Sequence, residues 1–158
     1  YSSNLFTLNT FYSSIKRTIK GNTPSDSTLS FLCKYWNCVA SNIIQWNELN
    51  KKEISKVDLR ENYIVTQGVV IQAIGQVGSY FINNSEINMY EILKGLKNID
   101  WRRSASIWKN RVIRADGKIL TSNKAILLAS NQIKKELGIP LLPDEELKEK
   151  RYLESLTI

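Results

Sequence analysis

Histidine is absent from this 158-residue chain. That removes Ser-His-Asp and Cys-His nucleophilic catalysis and every imidazole metal ligand. Cysteine is scarce, with only Cys33 and Cys38 present, too few for a structural zinc site. On a helix their five-residue spacing sets them about 140° apart around the axis. A disulfide is therefore not expected, and both read as buried thiols of a reducing cytoplasm. No run approaches the ~18 consecutive apolar residues of a transmembrane helix. No charged n-region followed by an apolar h-region opens the chain, so neither a span nor a secretory signal is expected. A metal-dependent nuclease needs two or three acids converging on a hydrated metal, and no paired acids with evident convergence occur. Gly75-Gln76-Val77-Gly78 is too short for a phosphate-cradling loop and lacks a following Lys-Ser/Thr. Catalytic residues, metal and cofactor are all expected to be none.

What is present is positive charge, and it is unevenly placed. The chain carries a net +7 with a pI near 9.4. Residues 1–60 hold +4, 61–100 hold −2, 101–135 hold +8 and 136–158 hold −3. The block 101–135 sets nine Lys/Arg against a single acid, Asp116, and includes Trp101 and Trp108. Concentrated cations beside rigid aromatics suit a polyanion, most simply nucleic acid. The candidate contacts are Arg102, Arg103, Lys109, Arg111, Arg114, Lys118 and Lys124, with the arginines best able to fork onto phosphate or guanine edges. Arg103, Arg111 and Arg114 come closest to a shared edge. Lys118 and Lys124 flank the start of a helix capped by Ser122, whose free N–H groups favour phosphate. The competing expectation is that these cations are solvated, or are neutralised by Glu61, Glu86, Glu91 and the acidic tail.

Periodicity predicts a mainly α fold, a compact bundle of about six or seven helices, with at most one short β-hairpin near Asp116-Gly117. The expected helices are 7–20, ended by Gly21, and 28–46 with the stripe Leu29, Leu32, Trp36, Val39 and Ile43. A third covers the apolar segment 63–82, where strand followed by helix is the alternative, and a fourth 86–97, capped by Ser85 with Tyr90 inward. The next starts at Trp101 with Asp100 as N-cap, so that Trp101, Ala105, Trp108 and Val112 share a buried face. The last two are 122–137, closed by Gly138 and Pro140, and an acidic helix 144–156 carrying Leu147, Leu153 and Leu156. Gly68, Gly75 and Gly78 fall on one stripe of the third helix. Three glycines at roughly 1 kcal/mol each need a packing reason, and close approach by a neighbouring helix supplies one. The whole of 1–158 reads as a single helical domain.

Several segments together carry a family resemblance: Tyr63-Ile64-Val65-Thr66-Gln67-Gly68 running on to Gly78, Ile99-Asp100-Trp101-Arg102-Arg103, Trp108-Lys109-Asn110-Arg111, and Ile133-Lys134-Lys135-Glu136-Leu137-Gly138. In order and spacing they resemble the C-terminal region of DndB-type proteins, which accompany DNA phosphorothioation and belong to the wider DGQHR-domain group. The resemblance spans roughly residues 1–147 and is best over 60–140. The Asp-Gly-Gln-His-Arg motif that names the group is missing. The resemblance implies the C-terminal part of a longer, bacterial, cytoplasmic protein. Its implied role is a non-enzymatic, DNA-binding regulator of the modification genes, with other sulfur-modification proteins as candidate partners. The alternative is a protein-interaction module of a modification complex with no DNA contact.

Overall fold

The apolar segment after residue 63 becomes the central post of the molecule, helix α5 (Gly68–Asn83), whose buried side includes Val69, Val70, Ile71, Ala73, Ile74, Val77 and Phe81. The computed structural model describes residues 7–157. Around α5 are α1 (Leu8–Ile19), α2 (Asp26–Asn42), α3 (Ile44–Asn50), α4 (Lys56–Asn62), α6 (Met89–Leu93), α7 (Asn123–Leu137) and α8 (Pro143–Ser155). Among the described residues these make eight α-helices with two 3-10 turns and no sheet. The fold is mainly α, as expected. None of the helices is long and apolar enough to cross a membrane.

Caps fix most helix starts. Thr7, Ser25, Ser55 and Ser122 each accept a backbone N–H three residues on, relieving donors that the first turn leaves unpaired. Gly138, at φ +72°, closes α7 by presenting N–H to Lys135. That left-handed geometry suits glycine.

The glycine stripe of α5 has its packing reason. A Cβ at Gly75 would collide with the Ser14 carbonyl, and one at Gly78 would lie 2.9 Å from the Tyr35 ring. Thr18 Oγ1 donates to the Gly75 carbonyl at 2.6 Å, and the Tyr35 hydroxyl donates to the Ile74 carbonyl. α1 is thus seated directly on the backbone of α5.

Several expectations need correcting. The helix foreseen over 28–46 breaks at Ile43, where an extended backbone (φ −98°, ψ 104°) separates α2 from α3. Its inward residues include Leu32, Tyr35 and Val39, while Leu29 is exposed. Cys33 is exposed and Cys38 half-buried, so the thiols are free but not both buried. Residues 64–67 form a turn, closed by the Gln67 N–H donating to the Ile64 carbonyl, so α5 begins only at Gly68 and neither a helix from residue 63 nor a strand before it is formed. There Tyr63 bridges Arg102 and Ile64 N–H donates to the Trp101 carbonyl. Asn88, not Ser85, caps α6, and Tyr90 is exposed while Met89 is buried.

The largest correction concerns residues 99–121. No α-helix starts at Trp101. The chain runs irregularly, with one 3-10 turn over Ser106–Trp108 and Asn110 in a left-handed conformation. Trp101 and Trp108 do lie buried in the core, but they meet by the loop folding over. Their rings stack at 5.5 Å and 12°, and Trp108 Nε1 donates to the Asp100 carbonyl at 2.6 Å. Near Asp116-Gly117 a tight turn forms. Arg114 and Lys118 pair through their backbones and Ile113 bridges Ile119, without making a sheet.

Because the Gly75 site is closed by backbone, Gly75→Ala is expected to lower stability by about 1–3 kcal/mol. Gly68→Ala, whose Cβ meets Thr10 at an ordinary 3.5 Å, is expected to be neutral or slightly stabilising. Urea denaturation of the two variants checks the contrast.

Candidate nucleic-acid interface

The mid-chain cations divide into three groups. Arg111 is buried at 2% exposure. Its Nη1 and Nη2 grip the Glu149 carboxylate of α8 at 2.7 and 2.9 Å. The guanidinium also donates to the carbonyls of Leu128 and Ile107 and lies 4.2 Å from the Tyr152 ring centre. Arg111 was expected to contact nucleic acid and to share an edge with Arg103 and Arg114. That expectation fails, because the side chain faces the interior and four of its five N–H donors are taken. Lys134 is buried likewise and pairs with Glu145 at 2.8 Å. Lys135, half-exposed, adds a 3.0 Å contact to Glu149.

A second group is exposed but locally paired. Arg102 chelates Asp100 through Nε and Nη2 at 2.9 and 2.6 Å, and Arg114 meets Asp116 at 3.2 Å. Asp100 also accepts the Arg102 backbone N–H, so it organises a turn rather than capping a helix. The hydrogen bond from the Arg102 side chain holds its carboxyl below the usual range. Asp116 accepts the Lys118 N–H, as a turn residue should. Exposed pairs of this kind contribute little and are screened by salt.

The third group carries uncompensated charge. Arg103, Lys109, Lys118 and Lys124 make no ion pair among the described residues. Arg103 is held by two hydrogen bonds to the Arg60 carbonyl. Lys109 bridges Ile113, which bridges Ile119, so Lys109, Arg114 and Lys118 belong to one compact turn. Lys124 stands apart, in the first turn of α7.

The neutralising expectation was therefore half right. The acidic tail does reach the block through Glu145 and Glu149, whereas Glu91 pairs with Lys94 instead. The buried ion cluster could not be read from the sequence. Glu145, Glu149 and Tyr152 fall at spacings of four and three, the spacing of one helix face, but two of them are acids and the expected stripe of leucines points elsewhere. Leu147, Leu153 and Leu156 are exposed. Among the described residues no group of three or more His, Cys, Asp or Glu is placed to hold a metal ion.

The family model for DndB, described as DNA-sulfur modification-associated, matches residues 1–140. The chain belongs to the DndB family. The match takes in α1 to α7 and the whole 99–121 loop, and stops before α8. No curated protein and no solved structure matches the chain.

Glu149 is the carboxylate through which acid is expected to destabilise the DndB chain. Burial alone would raise its carboxyl, but the hydrogen bonds and charge of Arg111, then those of Lys135, outweigh it and leave it at about 2 against an ordinary 4.5. A carboxyl depressed in the folded state stabilises above its unfolded value and loses that contribution as protons bind. Stability is expected to hold above pH 4.5 and to fall as pH drops toward about 2. Urea midpoints across that range test this, and Glu149→Gln should flatten the dependence. Arg111→Ala should cost about 3–5 kcal/mol by stranding a buried charge, read from the same denaturation curves.

Proposed function

We propose that this DndB-family chain is a DNA-binding module of bacterial DNA sulfur modification, acting in the cytoplasm without catalysis and controlling expression of the modification genes. Membership of a family associated with DNA sulfur modification gives the context. The observation that carries DNA contact is the uncompensated charge of Arg103, Lys109, Lys118 and Lys124 in a protein of net +7. Lysines on an irregular turn are point charges suited to phosphates rather than base edges. Arg102 and Arg114 support the reading from exposed, easily exchanged pairs with Asp100 and Asp116. A carboxylate that leaves for solvent frees a guanidinium fork for phosphate. Arg111 takes no part and acts as the anchor of the loop. Binding of this kind is set by phosphate number and falls steeply with salt.

A second reading has its own support. Leu142, Leu147, Leu153 and Leu156 are exposed on and beside α8, as a protein-interaction module would require. Association with a modification enzyme that survives nuclease treatment would favour it.

Fluorescence anisotropy with a short duplex, from about 50 to 200 mM salt, tests the DNA reading. Lys109→Glu/Lys118→Glu is expected to weaken binding at low salt and to reduce the salt slope by about 2, while the melting temperature stays near that of the parent. An affinity indifferent to these changes overturns the proposal.

A further inference from the structure

A cavity of about 670 Å³ opens between α1, α5, α7 and α8, away from the turn that holds Lys109 and Lys118. Its wall is rich in cations, and the way they are held is unusual. Arg17, in the last turn of α1, donates Nε to Gln72 Oε1 at 3.1 Å, Nη1 to Gln76 Oε1 at 3.4 Å and Nη2 to Asn123 Oδ1 at 3.0 Å. These three acceptors are neutral amides from two helices. They orient the guanidinium without cancelling its charge, and no carboxylate pairs with Arg17 among the described residues. Three of its five N–H groups are used, so one on each terminal nitrogen is left for an incoming oxygen. Burial lowers the Arg17 pKa, the mark of a cation stripped of some water without an anion in exchange.

The two acids in the wall do not offset it. Glu145 is committed to Lys134 and Asp144 to Lys148. Once these pairs cancel, Arg17, Lys20, Lys124 and Arg151 face the cavity without a counter-charge among the described residues. Asn123 and Lys124 are also the first two residues of α7, where backbone N–H groups lie ahead of the helix ladder. Fixed guanidinium, surrounding cations and a concave, half-open volume are together what recognises a compact, doubly charged oxyanion.

We propose that this cavity is a binding site for a phosphate-bearing anion, with Arg17 as its fixed anchor and Lys20, Lys124 and Arg151 as the surrounding charges. The chemistry is the same for a phosphate of the DNA backbone and for a free phosphate ester or pyrophosphate. The site does not depend on the turn lysines binding DNA.

Isothermal titration calorimetry of the full chain with inorganic pyrophosphate at low salt is the direct test. A saturable one-to-one heat is expected. Arg17→Gln should weaken it about tenfold, the loss of one charge-assisted fork. Lys20→Gln/Arg151→Gln changes only exposed side chains and should weaken it comparably, which keeps the test decisive if the Arg17 variant misfolds. Duplex anisotropy then separates the sources. Competition between pyrophosphate and duplex, with both lost in Arg17→Gln, puts a backbone phosphate in the cavity. Pyrophosphate binding that needs Arg17 while duplex binding ignores both makes a free anion the ligand. Either outcome supports the site, even if the turn lysines prove irrelevant to DNA. Absence of saturable pyrophosphate binding, or equal affinity in the parent and both variants, overturns it.

Discussion

The Arg111–Glu149 pair ties three otherwise separate parts of the molecule to one another. Arg111 belongs to the irregular 99–121 loop, Leu128 to α7 and Glu149 to α8, and a single guanidinium bonds to all three. Loops without regular secondary structure carry many backbone groups that need partners. Here the stacked pair Trp101 and Trp108 supplies apolar filling and Arg111 supplies hydrogen bonds. Buried ion pairs are a poor source of net stability, because desolvation consumes most of the attraction. They are strict about geometry, however. Glu149 is served at once by Arg111, Lys135 and Asn131, so α8 can settle in one register only. The Tyr152 hydroxyl, donating to the Lys109 carbonyl, adds a second fix on the same turn.

Sequence periodicity found the helices that carry their own signals. α1 and α7 have a cap, an apolar stripe and a terminal glycine, and both appear where these place them. The α5 glycines were readable as a helix-contact stripe because such costs in one helix demand compensation, and Ser14, Thr18 and Tyr35 provide it at Gly75 and Gly78, while Gly68, at the start of the helix, has only an ordinary contact with Thr10. Periodicity misled at Trp101 and Trp108. A seven-residue spacing is also what a loop yields when it folds one indole onto another. Burial of both rings was therefore predicted correctly for the wrong reason. The charge block was easy to find but not to apportion. No local rule says that Glu149, 38 residues on, removes Arg111 from the surface. Nor could any pattern in residues 101–135 point to Arg17, whose role arises only when α1 packs against α5 and the start of α7.

Charge in this protein thus works at three depths. In the interior it fixes how α7, α8 and the loop meet. On the turn it is held in brief local pairs, or not paired, where solvent can exchange it. In the cavity it is oriented by amides and kept unneutralised. The first use serves architecture, while the other two leave positive potential for an outside partner. Counting lysines and arginines cannot separate these uses, because composition is blind to which carboxylates return from distant parts of the chain.

The family likeness ends at residue 140, yet the carboxylates that balance Arg111 and Lys134 are Glu149 and Glu145. The boundary of resemblance thus cuts across a neutral set, leaving two interior cations on one side and their counterions on the other. A relative that keeps the matched region but replaces the last helix faces a definite requirement. It must bring two acids to the same places from another segment or another subunit, or it must carry uncharged side chains where Arg111 and Lys134 now stand.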